Sequence, residues 1–144
     1  MTAYILDASA ILRFVEDESG AEQVQRLFKT ALEGDIQLLI SAFTWGEINY
    51  MAIRGHGSAN ARLLVDQLKS LPVTVVPVDA SVAEAAAEFK EAHNLSYADA
   101  FAGALAQRTH ATLVTANTKD FKPLAQGVIR TQFLPARRET DPTQ

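Results

Sequence analysis

Short apolar runs alternate with longer stretches of helical periodicity along this chain, and that alternation narrows the fold more than any other feature. Residues 4–6, 36–40, 73–78 and 111–115 form apolar or β-branched runs too short for helices, and residues 127–130 read as a fifth, short one. Residues 19–34 place Val24, Leu27, Phe28 and Leu32 at helical spacing, with Ser19 as N-cap, Glu22 three residues on and Gly34 as the stop. A helix follows the second run as far as Arg54 and is stopped by Gly55-His56-Gly57. Further helices cover residues 58–71, 81–93 and 96–109. Strands alternating with helices predict an α/β fold, a mainly parallel sheet with helices on both faces. Residues 1–134 make one domain, and residues 135–144 read as a polar, flexible C-terminal tail.

The N-terminal run stops at Asp7, and a helical pattern begins at once. Asp7 therefore lies at a strand's carboxyl end, where ligands sit in parallel α/β sheets; capping of the next helix by Asp7 or Ser9 is the competing account. Glu47 has Phe43, Thr44, Tyr50 and Met51 as its helical neighbours, so it projects from a mostly apolar face. A capping box with Thr44 would explain it, whereas a helix beginning at Ser41 puts Glu47 well inside, and we favour that reading. Ser96 and Asp99 have capping-box spacing too, but the stripe above Asp99 is Ala102, Gly103 and Ala106, small enough for another backbone to come close. Asn117 and Asp120 follow the fourth run, at a strand's carboxyl end as Asp7 does. Carboxylates gathered in this way resist ionisation unless a cation joins them. An oxygen-only set suits Mg²⁺ or Mn²⁺.

Composition removes other chemistries. The 144 residues contain no cysteine, so disulfides, a thiolate nucleophile and Cys-ligated zinc are excluded. His56, His93 and His110 lack the spacing of a metal pair, lie near helix ends and read as structural. No glycine-rich phosphate loop, internal repeat or linker occurs. No apolar run approaches the roughly 20 residues of a membrane helix, and no leader opens the chain, so a cytoplasmic protein is expected. A formal net charge of −4 argues against a simple basic nucleic-acid-binding face. Site carboxylates contribute to that total, and bound metal would offset it.

Leu6-Asp7-Ala8-Ser9-Ala10, Glu47 after the second run, Tyr97-Ala98-Asp99-Ala100 and the segment from Leu113 to Phe121 (LVTANTKDF) occur in an order that resembles the PIN domain, specifically VapC toxin ribonucleases of bacterial toxin–antitoxin pairs. The resemblance runs from about Tyr4 to Phe133. It implies a PIN-like parallel sheet of order 3-2-1-4-5, with Asp7, Glu47 and Asp99 as metal-site acids. The fourth acidic position of the family falls on Asn117, with Asp120 close by. Ser9 and Thr115 match supporting hydroxyls. The resemblance further implies Mg²⁺-dependent endoribonuclease activity, a homodimer, and a cognate antitoxin that places an arm across the site. Arg13, Arg54, Arg62, Lys119, Lys122 and Arg130 are candidates to line an RNA groove.

Three other readings compete. A phosphoacceptor receiver domain needs a second acid beside Asp7, where Ala8 and Ser9 stand. A haloacid-dehalogenase-like phosphatase would need its second aspartate at Ser9. A catalytically inactive PIN fold serving as a binding module would bind no metal.

Overall fold

The computed structural model describes residues 1–141. Its elements are β1 (Thr2–Leu6), α1 (Ala8–Val15), α2 (Ala21–Leu32), β2 (Ile36–Ser41), α3 (Ala42–Lys69), β3 (Thr74–Val76), α4 (Ala80–His93), α5 (Tyr97–Thr109), β4 (Thr112–Thr115), α6 (Thr118–Phe121) and β5 (Thr131–Phe133). The five strands form one sheet in the order β3-β2-β1-β4-β5, and every pairing is parallel. This is the order that the resemblance implied.

Successive strand side chains point to opposite faces, and the sequence supplies apolar groups to both. Ile5, Leu39 and Leu113 meet Phe89, Phe101 and Leu105 of α4 and α5 on one face. Leu6, Leu38, Ile40 and Val114 meet Ile11, Val24, Phe28 and Ile48 of α1, α2 and α3 on the other. Neither face is left to water, which is why the central strands show no polar alternation.

Three local expectations change. The fifth strand is residues 131–133, not 127–130: Gly127 has φ +102°, and Val128 and Ile129 both donate to the Leu124 carbonyl, so this apolar pair fills the core from a turn. The third strand shrinks to three residues at the sheet edge. The expected stop in the helical run after β2 is present: within α3 Gly57 is non-helical, its φ of +76° lying where a side chain is strained, so two helical segments meet there at a kink. Ser19 does not cap α2. Gly20 takes that place with φ +93°, and a Cβ there would stand 2.9 Å from that of Leu134. The Ser19 hydroxyl instead donates to Asp141 at 2.5 Å.

The chain beyond β5 was assigned to a tail at residues 135–144, of which 142–144 lie outside the described residues. Over the described part, Arg13, itself buried, donates to the Pro135 carbonyl at 2.8 Å, and the Arg138 amide donates to the Ser19 hydroxyl at 3.1 Å and Asp141 at 2.8 Å. Among the described residues, no helix is long and apolar enough to cross a membrane.

The small stripe on α5 admits a ring, not a backbone. A Cβ on Gly103 would lie 2.4 Å from Cε1 of the buried Phe89. Gly103→Ala should cost about 1–3 kcal/mol by overpacking. Gly46→Ala, on the exposed side of α3 with nothing within 4 Å, should gain about 0.5–1 kcal/mol. Urea unfolding of the two variants checks the pair; equal midpoints would refute the close approach.

Candidate metal and phosphate site

Strands β1 and β4 are adjacent and parallel, with Leu6 beside Val114. From their carboxyl ends the chain leaves toward opposite faces: α1 packs with α2 and α3, while Phe121 of α6 packs with α4 and α5. A crevice opens where such connections diverge. Asp7, Ser9, Glu47, Asp99 and Asn117 line it, around a cavity of about 330 Å³.

Asp7 both caps α1 and lines the crevice. One carboxylate oxygen accepts from the Ala10 amide at 3.0 Å, capping α1, and from the Ser9 hydroxyl at 2.6 Å. The other accepts from Thr115 at 2.5 Å. The two hydroxyls are themselves oriented, since Ser9 Oγ accepts from the Ala116 amide and Thr115 Oγ1 from the Asn117 amide, each at 2.9 Å. Burial nevertheless outweighs these bonds and raises the Asp7 pKa.

Glu47 is placed by the true start of α3. Ser41 is the N-cap, its hydroxyl accepting from the Phe43 amide at 3.1 Å, so Glu47 lies in the second turn and the Thr44 capping box does not form. Thr44 is buried, with no hydrogen-bond partner for its hydroxyl. Partial burial raises the Glu47 pKa, and the charges of Asp7 and Asp99 add to the shift.

Ser96 does cap α5, accepting from the Asp99 amide at 3.2 Å. The Asp99 carboxylate, however, turns to the site and accepts from Asn117 Nδ2 at 3.1 Å. Its pKa is pushed up to about 6, by burial first and then by Asp7 and Asp120. Asn117 bridges two acids, because the same nitrogen donates to Asp120 at 2.9 Å while its oxygen caps α6. Asp120 stands outside the cavity lining and meets the site through Asn117.

The donor set is oxygen-only, and burial, with neighbouring acids adding to it at Glu47 and Asp99, raises the pKa of these carboxyls, which fits a hard divalent cation. Among the described residues, no three acidic or histidine side chains already converge on one point. A cation that retains several waters is compatible with such spacing.

The basic candidates scatter. Arg13 lines the cavity but is buried and donates to the Ser19 and Pro135 carbonyls. Arg54 borders a neighbouring groove with Glu47, Tyr50 and Met51. Arg62 lies in a separate depression beside Ile53 and Lys69. Arg130 precedes β5, at the amino end of the sheet, away from the site. Two lining residues had not been singled out from sequence: Glu18 and Arg137, which form an ion pair. The one local signal was the basic Arg137-Arg138 pair in the segment read as a tail.

The profile of the PIN domain family matches residues 4–126. No curated protein matches the chain in sequence. Among solved structures, VapBC2 from Rickettsia felis, bound to a DNA fragment of its promoter, has a TM-score of 0.76 at 16% identity, covering 93% of this chain and 100% of that one. DNA-bound VapBC from Salmonella typhimurium gives 0.72 at 17% identity, over 92% and 98% of the respective chains. VapC20 from Mycobacterium tuberculosis, a sarcin–ricin loop cleaving toxin, gives 0.66 at 19% identity, over 88% and 98%. At such identities the likeness is one of fold.

The raised Asp99 pKa has a measurable sign. Between the ordinary 3.8 and about 6 the folded chain keeps a proton that the unfolded chain has lost. This contribution to stability is complete below the ordinary value and is lost as pH rises through the folded one. Asp99→Asn should therefore raise the melting temperature in EDTA at pH 7, with no gain at pH 4. Water screens this half-exposed group, limiting the gain to about 1 kcal/mol, roughly 3 °C. A fall of several degrees would make Asp99 a structural partner instead.

Proposed function

The chain belongs to the PIN domain family, and from that membership we propose a divalent-metal-dependent endoribonuclease of the VapC toxin type, neutralised by a cognate antitoxin. The observation that carries the reading is the convergence of Asp7, Glu47 and Asp99, from β1, α3 and α5, on one crevice beside Asn117. Three acids with pKa values raised by burial and, for Glu47 and Asp99, by neighbouring acids form a costly arrangement that a cation relieves.

In this reading Asp7, Glu47 and Asp99 hold Mg²⁺ or Mn²⁺, and Asn117 and Asp120 govern any second cation. A cation held by these residues would supply positive charge against the phosphate and lower the pKa of a bound water. Asp7 is fixed by Ser9, Ala10 and Thr115, so its oxygens are oriented before substrate arrives. Asp99, with a pKa of about 6, is mostly ionised at pH 7 and shares its charge with the Asn117 amide. Water would add to phosphorus in line, giving up a proton to solvent, and the bond to the 3′ oxygen would break, that oxygen taking up a proton in turn. No side chain serves as nucleophile.

VapC20 of Mycobacterium tuberculosis, whose fold this chain shares, cleaves an RNA loop, and the Rickettsia and Salmonella relatives are VapBC assemblies. These relatives support an RNA substrate and an antitoxin partner; a cytoplasmic location goes with this reading. Exposed Tyr50, Ile53 and Leu63 along α3 offer apolar surface for the antitoxin or for a homodimer. One observation favours an inactive binding module instead: an amide stands at Asn117, turned to donate rather than ligate.

Expression should arrest growth, and Asp7→Asn should relieve the arrest. With purified protein and Mg²⁺, the same substitution should slow RNA cleavage on the order of 100-fold or more, the protein remaining folded by circular dichroism. Equal rates would refute the site; a wild type that neither binds Mg²⁺ nor cleaves would establish the binding module. Asn117→Asp replaces a bridging donor by a third charge. It should lower the metal-free melting temperature and tighten Mg²⁺ in calorimetry; a weaker metal site would show that the amide bridge itself organises the ligands.

A further inference from the structure

The cavity is lined by the carboxylates of Asp7, Glu18, Glu47 and Asp99 and by two cations, Arg13 and Arg137. An acidic crevice meeting a polyanion needs a cation aimed outward. Arg13 is only 7% exposed and is committed to the Ser19 and Pro135 carbonyls at 2.7 and 2.8 Å. Arg137 differs: its side chain is 42% exposed, while Glu18, to which its Nη1 donates, is fully buried.

The segment carrying Arg137 is tied down on both sides. Pro135 is held by Arg13, and the Arg138 amide by Ser19 and Asp141. Asp141 in turn accepts from the Ser19 amide at 3.1 Å and hydroxyl at 2.5 Å. A guanidinium is planar, always charged and matched to phosphate, so the exposed part of the Arg137 side chain can face an anion while the buried Glu18 holds it. A buried glutamate as anchor fixes the direction of that group at the cavity.

We propose that Arg137 contacts a backbone phosphate of the polynucleotide bound in this cavity, with Glu18 as the positioning residue that orients it. The inference rests on the ribonuclease reading above and adds a substrate-binding residue from outside the matched family segment, which ends at residue 126.

The test is fluorescence anisotropy of a labelled single-stranded RNA oligonucleotide in EDTA, over a series of salt concentrations, with full-length wild type, Arg137→Gln and Arg137→Lys. Arg137→Gln should weaken binding about tenfold and flatten the plot of log affinity against log salt by about 0.7. Arg137→Lys should keep the slope at intermediate affinity. In cleavage with Mg²⁺, Arg137→Gln should raise KM by the same factor and leave kcat near the wild-type value. The double variant Glu18→Gln/Arg137→Gln strands no buried charge and carries the same test should the single one melt too low. Wild-type affinity and slope in Arg137→Gln would overturn the inference alone, wild-type cleavage leaving the ribonuclease reading intact. Weaker binding with an unchanged slope would make the ion pair merely structural and overturn it as well. A wild type that neither binds RNA nor cleaves it with Mg²⁺ would overturn both.

Discussion

The Asp7 carboxylate accepts from Ser9 and Ala10 on one oxygen and from Thr115 on the other. Those bonds join the end of β1, the first turn of α1 and the end of β4, pieces of chain more than a hundred residues apart in sequence. A buried carboxylate without such partners would cost several kcal/mol. Here its partners are hydroxyls and an amide, which stabilise the charge without cancelling it. The negative field therefore persists into the crevice and adds to the burial that raises the pKa of both Glu47 and Asp99. The same carboxylate caps α1 and faces the crevice, so capping and lining the crevice are compatible roles for Asp7.

The parallel sheet was legible because its cause is local: runs such as Tyr4-Ile5-Leu6 are too short and too apolar for anything but a strand covered on both faces. Glu47 was legible for a related reason, because Ser41 follows its strand directly and moves the acid past the first turn. Asp99 was ambiguous, and the structure makes it both, an amide in a cap and a carboxylate in the site. The misplaced fifth strand shows the limit of pattern. Val128 and Ile129 look like a strand, but Gly127 and the bonds back to Leu124 make them a core-filling turn.

What the sequence withheld was long-range. Ser19 looked like a helix cap, yet its hydroxyl is taken by Asp141 and by the Arg138 amide. Glu18 and Arg137 are unremarkable in their own neighbourhoods and meet only because the chain returns past β5 to the loop between α1 and α2. Periodicity reports on a residue's own element, and these contacts belong to none. The same return leaves Arg13 buried, its guanidinium committed to the Ser19 and Pro135 carbonyls, which composition alone could not have distinguished.

An acidic chain with a crowded acidic site still has a physical route to a polyanion. In an all-parallel sheet every following helix begins at the carboxyl edge, so helix N-termini gather there. Asp7 caps α1, Ser41 caps α3, Ser96 caps α5 and Asn117 caps α6, each accepting from a first-turn amide. The partial positive charge at such termini favours anions, carboxylate and phosphate alike, within about one turn. That field makes tolerable the assembly of Asp7 and Asp99 at one edge, and it acts whatever the net charge of the whole chain. Specific cations then have only to orient the substrate, a role that one anchored guanidinium can fill where a broad basic face is missing.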